Sequence, residues 1–452
     1  MTQQALATSP SSNAPKRVET RTMRFKTWAW GLSVASMALL TACGGGGGDG
    51  GNADVRLLNA SIGYSALDMA VGTDQKVVNS AVAYAKAGSY ASVSTSDSGT
   101  YIQNSTVGST LSSTTPTLSS GTKYTLIAYG TTSAVRTTLL QDNQDKPDAG
   151  KSKFLILNLA PDAGALDVYE TVTTSTNLDD AATVASGIAT GGGSGYASLK
   201  SGTFRFVVTA AGDKTDVRLT IPSLTLPDAG VSTLILTGSN GGVLVNGMQV
   251  IQEGDVTNYA NTSARVRLVA GLPSGNLITG SVGSVPLLTS AGTPAIGSYT
   301  QVTAGSQAVA LTVNGNPVST GAAALTAGND YTMLVYGTAA SPSVSLLSDD
   351  NKLPNSTVNA KIRVINGLSN TTGGVDLRVN YAAYGSNVVP GSASTATQTP
   401  AVTNAQVSVT ASQTAASLFS KSDVTLTANN NYSVFVLGDI NNSPAVTLLR
   451  DR

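Results

Sequence analysis

Histidine is absent from the 452 residues, and cysteine occurs once, at Cys43. Both tryptophans, Trp28 and Trp30, lie in the first 42 residues, and charged residues make up only 12% of a chain with no net charge. Each shortage excludes something. Without histidine there is no imidazole acid or base and no Ser-His or Cys-His nucleophile pair. The common ligands of zinc and copper are missing as well. One cysteine cannot close a disulfide within the chain, so stability must come from packing. The charge balance leaves no dense basic face of the kind nucleic acid requires.

The lone cysteine stands in LTACGGGGGDGG, residues 40–51. Upstream, Arg24 and Lys26 precede the mostly apolar WAWGLSVASMALL, 13 residues from Trp28 to Leu40. That run is too short for a membrane span, which takes about 20 residues, and it suits the core of a secretion signal. The tetrad Leu40-Thr41-Ala42-Cys43 resembles the bacterial lipobox. The resemblance implies that the Cys43 thiol is lipidated, that a peptidase cuts before it, and that the new amino terminus is acylated. With Gly44 rather than aspartate after the cysteine, it also implies the outer membrane. Residues 1–42 are then a signal peptide, although the polar stretch before Met23 is long and Met23 makes a compact alternative start. Residues 43–53 read as lipidated cysteine plus flexible glycine tether, and ten such residues span about 17 Å. Several acyl chains, palmitate among them, anchor nearly permanently where a single chain binds only marginally.

Removal of the signal takes five basic residues and Glu19 with it, leaving 21 basic and 25 acidic residues. Two motif look-alikes fail in what remains. Gly150-Lys151-Ser152 would end a phosphate-binding loop, but Asp145 stands where its first glycine belongs. Gly191-Gly192-Gly193-Ser194-Gly195 is followed by Tyr196, so it is no nucleophile elbow.

The chain repeats itself. VRLLN (55–59), FLILN (154–158), VRLVA (266–270) and IRVIN (362–366) recur as strand-like starts. YTLIAYG (124–130), STLILTG (232–238), YTMLVYG (331–337) and YSVFVLG (432–438) recur later in each unit. TTLLQD, VSLLSD and VTLLRD then close three of the units on Asp142, Asp349 and Asp451. These runs are rich in Val, Leu, Ile, Thr and Tyr and are bounded by turn residues, the signature of strands rather than helices. Units near 100 residues are too long for a propeller blade and match one β-sandwich each. The expected fold is all-β: four tandem immunoglobulin-like sandwiches over 54–150, 151–263, 264–359 and 360–452. Set in line, at about 35–40 Å each, they would reach on the order of 150 Å.

The second unit carries NLAPDAGALDVYE (158–170) and YASLKSGTFRFVVTAAG (196–212). The first carries NASIGYSALDMAV (59–71) and SGTKYTLIAYG (120–130), and the fourth INGLSNTTGGVDLRV (365–379). The third, AGLPSGNLITGSV (270–282), lacks the aspartate. These motifs resemble the domain of unknown function 4397 family, which implies a fold and a location without an activity.

The repeated aspartates are the candidates for chemistry. Asp68, Asp167 and Asp376 follow the first turn of three units. Asp142 and Asp145, and Asp349 and Asp350, place hard oxygen ligands near strand ends, as calcium needs. Against that, no segment has the spacing of a calcium loop, aspartate caps turns, and a device repeated in every copy is structural more often than catalytic. Tyr124, Tyr129, Tyr331, Tyr336 and Tyr432 form either a sugar-stacking face or half-buried strand positions. PDAG, found three times, is turn chemistry. The expectation is a non-enzymatic envelope lipoprotein with no cofactor, no metal and no catalytic residue. It is held to the membrane through Cys43 and binds an envelope or extracellular protein or a glycan, as an adhesin-like or scaffold module. The alternative is a carbohydrate-binding or carbohydrate-active lipoprotein, for example a glycosidase with paired carboxylates.

Overall fold

The computed structural model describes residues 50–132 and 134–452. The expected signal peptide, Cys43 and most of the expected tether lie outside the described residues. Asn52 and Ala53, assigned to the tether on sequence grounds, open the first strand instead, because they pair with Ser94 and Val93 and Ala53 is buried in the core. No helix occurs among the described residues. The strands form four sandwiches, over Asn52–Gln141, Lys151–Tyr259, Ser263–Asp349 and Asn359–Arg450.

Sandwich 1 sets the pattern. Its strands are β1 (Asn52–Ser61), β2 (Ala66–Val71), β3 (Lys76–Ala83), β4 (Ala91–Ser94), β5 (Thr100–Asn104), β6 (Thr110–Thr114), β7 (Lys123–Thr131) and β8 (Ala134–Gln141). One sheet runs β4-β1-β7-β8 and the other β3-β2-β5-β6, and the other three sandwiches keep this arrangement. Within the first sheet β1 and β7 run parallel, Asp54 beside Lys123, while every other pairing in the sandwich is antiparallel. Apolar positions alternate into the space between the sheets. Val55, Leu57, Leu126 and Ala128 meet Leu67, Met69 and Ile102 there. Burial of each large apolar side chain contributes about 1.5–3 kcal/mol.

The first sheet is apolar on both faces. The positions that alternate with the core, Leu58, Ala60, Ile127 and Tyr129, pack on Leu155, Leu159, Ile235 and Met248 of sandwich 2. Val269 and Leu334 of sandwich 3 pack in the same way on Ile365, Phe435 and Leu437 of sandwich 4. Sandwiches 1 and 2 are therefore joined back to back, and so are 3 and 4. The end-to-end row expected from the sequence does not form at these two junctions. Topology is the reason: Asp54 and Asp142 flank Lys123, so the chain enters and leaves the sheet at one end. A short linker can then only fold the next sandwich back against the last. Sandwich 2 escapes this through an added strand, Val256–Tyr259, which reverses along Val245–Ile251 and delivers the chain to the opposite end. There the Asn240–Gly242 turn meets sandwich 3, with Gly241 N donating to Gly328 O at 2.9 Å.

Candidate functional site: the repeated carboxylates and the sandwich interfaces

Each second sheet opens with a bulge, and the aspartate after the first turn holds it. Asp68 Oδ1 accepts from Ala81 N (2.6 Å), Asp167 Oδ1 from Gly187 N (2.7 Å), and Asp376 Oδ1 from Asn387 N (2.8 Å). All three donors sit at positive φ, where the strand register shifts. In sandwich 3 the clamp is Thr279, whose Oγ1 accepts from Ser290 N at 2.9 Å. The aspartates thus follow the turn-and-backbone alternative rather than the calcium one.

A second device crosses from sheet to sheet. Asn59, Asn158 and Asn366 each donate to a carbonyl of the facing sheet, Val82 (3.0 Å), Ile188 (2.9 Å) and Val388 (2.8 Å). Sandwich 3 has Ala270 at this place. Tyrosine supplies a third. The hydroxyls of Tyr124, Tyr331 and Tyr432 accept from the backbone N–H five residues upstream, at Ser119 (3.1 Å), Thr326 (3.0 Å) and Thr427 (2.9 Å). This is the tyrosine corner of Greek-key sandwiches. Tyr129 is buried against sandwich 2 and Tyr336 packs at the 3–4 junction. The five tyrosines therefore make no sugar-stacking face, since their rings fill cores and interfaces.

The late aspartates point into the interfaces, where they meet residues the sequence reading left unremarked: Arg56, Arg267 and Arg363. Between sandwiches 3 and 4 the arrangement is reciprocal. Arg267 Nη1 donates to Asp451 Oδ1 at 2.6 Å, and Arg363 Nη1 to Asp349 Oδ1 at 2.7 Å. Each arginine also uses Nε on its own sandwich, Arg267 to Thr332 (2.9 Å) and Arg363 to Ser433 (2.9 Å). Thr332 Oγ1 and Tyr299 OH complete the shell of Asp349 at 2.6 and 2.7 Å. Burial pushes Asp349 upward, but Arg363 and Arg267 outweigh it and hold the carboxyl below its ordinary value.

Between sandwiches 1 and 2 half of the exchange is missing, because sandwich 2 has Leu155 and Gln252 in place of the arginine and the aspartate. Asp142 receives Thr125 Oγ1 (2.5 Å) and Tyr90 OH (2.7 Å) but, among the described residues, no guanidinium hydrogen bond. Burial accordingly pushes it above the ordinary carboxylate value. Arg56 turns to the backbone of sandwich 2, donating to Gly254 O (2.8 Å) and Ile251 O (3.4 Å). Gln252 instead pairs with the linker residue Gln144 at 2.9 and 3.0 Å.

Of the remaining calcium candidates, Asp350 takes Lys361 Nζ at 2.6 Å and Asp145 is exposed. Among the described residues no three acidic, histidine or cysteine side chains converge on one point. Arg452 lies against sandwich 2, with Nη1 donating to Gly242 O (3.2 Å) and Asn351 O (3.0 Å). Burial, with Arg218 and Arg265 nearby, pushes it down to about 10. Among the described residues, two of the open clefts stand out. One, about 440 Å³, lies within sandwich 4 beside Tyr384 and Thr397. The other, about 600 Å³, lies between sandwiches 2 and 3.

The model of the family "Domain of unknown function (DUF4397)" matches residues 53–169 and 264–372. No curated protein matches the chain. Among solved structures, a Bacteroides uniformis protein named a "putative cell adhesion protein" is 14% identical over 45% of this chain and 98% of its own, with a TM-score of 0.20. The Bacillus anthracis TIE protein is 10% identical over 88% of this chain and 68% of its own, with a TM-score of 0.14. Likenesses this distant say nothing further about function.

Proposed function

We propose that this chain, which belongs to the DUF4397 family, is a lipid-anchored envelope protein whose tandem sandwiches bind or present rather than catalyse. The observation behind this reading is how the repeated carboxylates are used. Asp68, Asp167 and Asp376 hold backbone N–H groups, while Asp349 and Asp451 hold arginines of the neighbouring sandwich. A carboxylate bound in this way in copy after copy is unavailable as the acid or base of a hydrolase. Back-to-back pairing adds a body fixed at several junctions, suited to holding binding surfaces in register.

Protease treatment of intact cells tests the reading, with wild type compared against Cys43→Ser. The expected outcome is a membrane-bound wild type, a released Cys43→Ser variant, and loss of the wild-type body to external protease. Protection until the outer membrane is opened would instead favour a periplasmic scaffold. Equal membrane retention of Cys43→Ser would overturn the anchor.

A further inference from the structure

We propose that the cleft between sandwiches 2 and 3 binds a neutral saccharide. One wall is the strand start Asp213–Val217 of sandwich 2, and the other is Arg265 with Ser298–Gln301 of sandwich 3. At about 600 Å³ the cleft falls within the ~300–1,000 Å³ range of small-molecule sites, which favour domain junctions. The walls are fixed to each other, because Gln301 Nε2 donates to Val217 O across the junction at 2.7 Å.

The polar groups are pre-set. Asp216 is held by Arg218 Nη2 at 2.6 Å, and Asp213 accepts from the N and Oγ1 of Thr215 at 2.9 and 2.6 Å. Arg265 is gripped from one side, Nε and Nη2 donating to the two oxygens of Asp330 at 2.9 and 2.6 Å. Its Nη1 has no hydrogen bond among the described residues, although the side chain is only 12% exposed. Nη1 is therefore free to donate to a ligand oxygen in the cleft, in exchange for water.

Charge decides the class of ligand. Arg218 is balanced by Asp216 and Arg265 by Asp330, and the remaining Asp213 is offset by Arg452, which lies near Arg218 and Arg265, so neither an anion nor a cation is drawn in by net charge. Two guanidiniums and the lack of a third carboxylate disfavour a divalent cation. Apart from Val217 and Tyr299 the walls are Asp, Ser, Thr, Gln and Arg, which give an apolar ligand little to pack on. What fits is an uncharged molecule whose hydroxyls both donate and accept, giving protons to Asp213 and Asp216 and taking one from Arg265 Nη1. Arg265 and Arg267 lie over the Tyr299 ring at 4.8 and 4.5 Å, so the sugar is held by hydrogen bonds rather than by stacking.

The proposal deepens the binding reading above and rests on it only in taking the ligand to be unaltered. The test is saturation-transfer NMR on the full chain with a panel of common neutral mono- and disaccharides at millimolar concentration. At least one sugar should receive saturation. Ser298→Trp, which fills the cleft, should weaken its binding at least about tenfold, and so should Asp213→Ala, which leaves the fold intact as judged by melting. If Ser298→Trp alters melting, Asp213→Ala decides alone. No transfer to any sugar, or transfer undiminished in Asp213→Ala, overturns the site and leaves the membrane anchor standing. A sugar that binds but is hydrolysed keeps the site and overturns the non-catalytic reading.

Discussion

Arg267 and Arg363 trade carboxylates: each arginine donates to the aspartate that ends the other's sandwich, Arg267 to Asp451 at 2.6 Å and Arg363 to Asp349 at 2.7 Å. The four groups are buried, with exposures between 1% and 4% for the three that the core contains in full, Arg267, Asp349 and Arg363. Removing one partner leaves an uncompensated charge. Arg363→Ala should cost about 3–5 kcal/mol, and Arg363→Met with Asp349→Leu much less. Calorimetry of the transition that melts sandwiches 3 and 4 measures both, and equal losses would contradict the exchange.

The two interfaces should answer pH in opposite senses. Asp349 is held below its ordinary value, so its contribution is present above the unfolded carboxylate value of about 3.9 and lost as pH falls through the folded one. Asp142 is pushed above, so its contribution is fullest below the unfolded value and fades as pH rises through the folded one. Asp142→Asn should therefore melt higher than wild type at neutral pH, with the gap closing on acidification. Thermal melts across pH check this.

Asp167 accepts from Gly187 N and Gly212 N at 2.7 and 2.8 Å. Asp167→Ala strands both donors and should destabilise sandwich 2 by about 1–3 kcal/mol. Because Asp167 and its counterparts serve the backbone, and Asp142, Asp349 and Asp350 face hydroxyls and cationic side chains, neither calcium nor a chelator should move the melting temperature of wild type. A calcium-dependent rise would restore the metal reading of Asp142, Asp145, Asp349 and Asp350.

Sandwiches 3 and 4 lie backbone against backbone at two glycines, Gly271 and Gly367. A Cβ on Gly271 would stand 2.2 Å from Gly367 O, whereas one on Gly292 would meet nothing within 4 Å. Gly271→Ala should cost about 1–3 kcal/mol through overpacking, and Gly292→Ala should be close to neutral. Hydrogen exchange across 431–439 reports whether the interface loosens.

Much of this was legible in the sequence. The repeated strand starts and the YTLIAYG-like blocks marked sandwiches, and turn residues bounded them. The pairing of sandwiches was written there too, in a form easily misread. YTLIAYG and YSVFVLG are largely apolar runs, as expected of a sheet buried on both faces, while Lys76–Ala83 is mostly exposed, with only Asn79 and Val82 buried. Arg56, Arg267 and Arg363 drew no remark, because a single-sandwich reading has only solvent to offer the second face. The usable signal was co-occurrence: units with arginine in the first strand end the last on aspartate, and unit 2 has neither. The inter-sandwich cleft left no such trace, since Asp213 and Arg265 belong to different units and only the added strand of sandwich 2 brings them together.

Entry and exit at one end of the paired sheet, as in sandwich 1, have a mechanical side. Tension applied between Asn52 and Gln141 pulls on neighbouring strand ends, so β8 would peel from β7 one hydrogen bond at a time instead of shearing them all at once. Such a unit yields at low force. A unit of this kind is better placed to hold a ligand than to bear a sustained load.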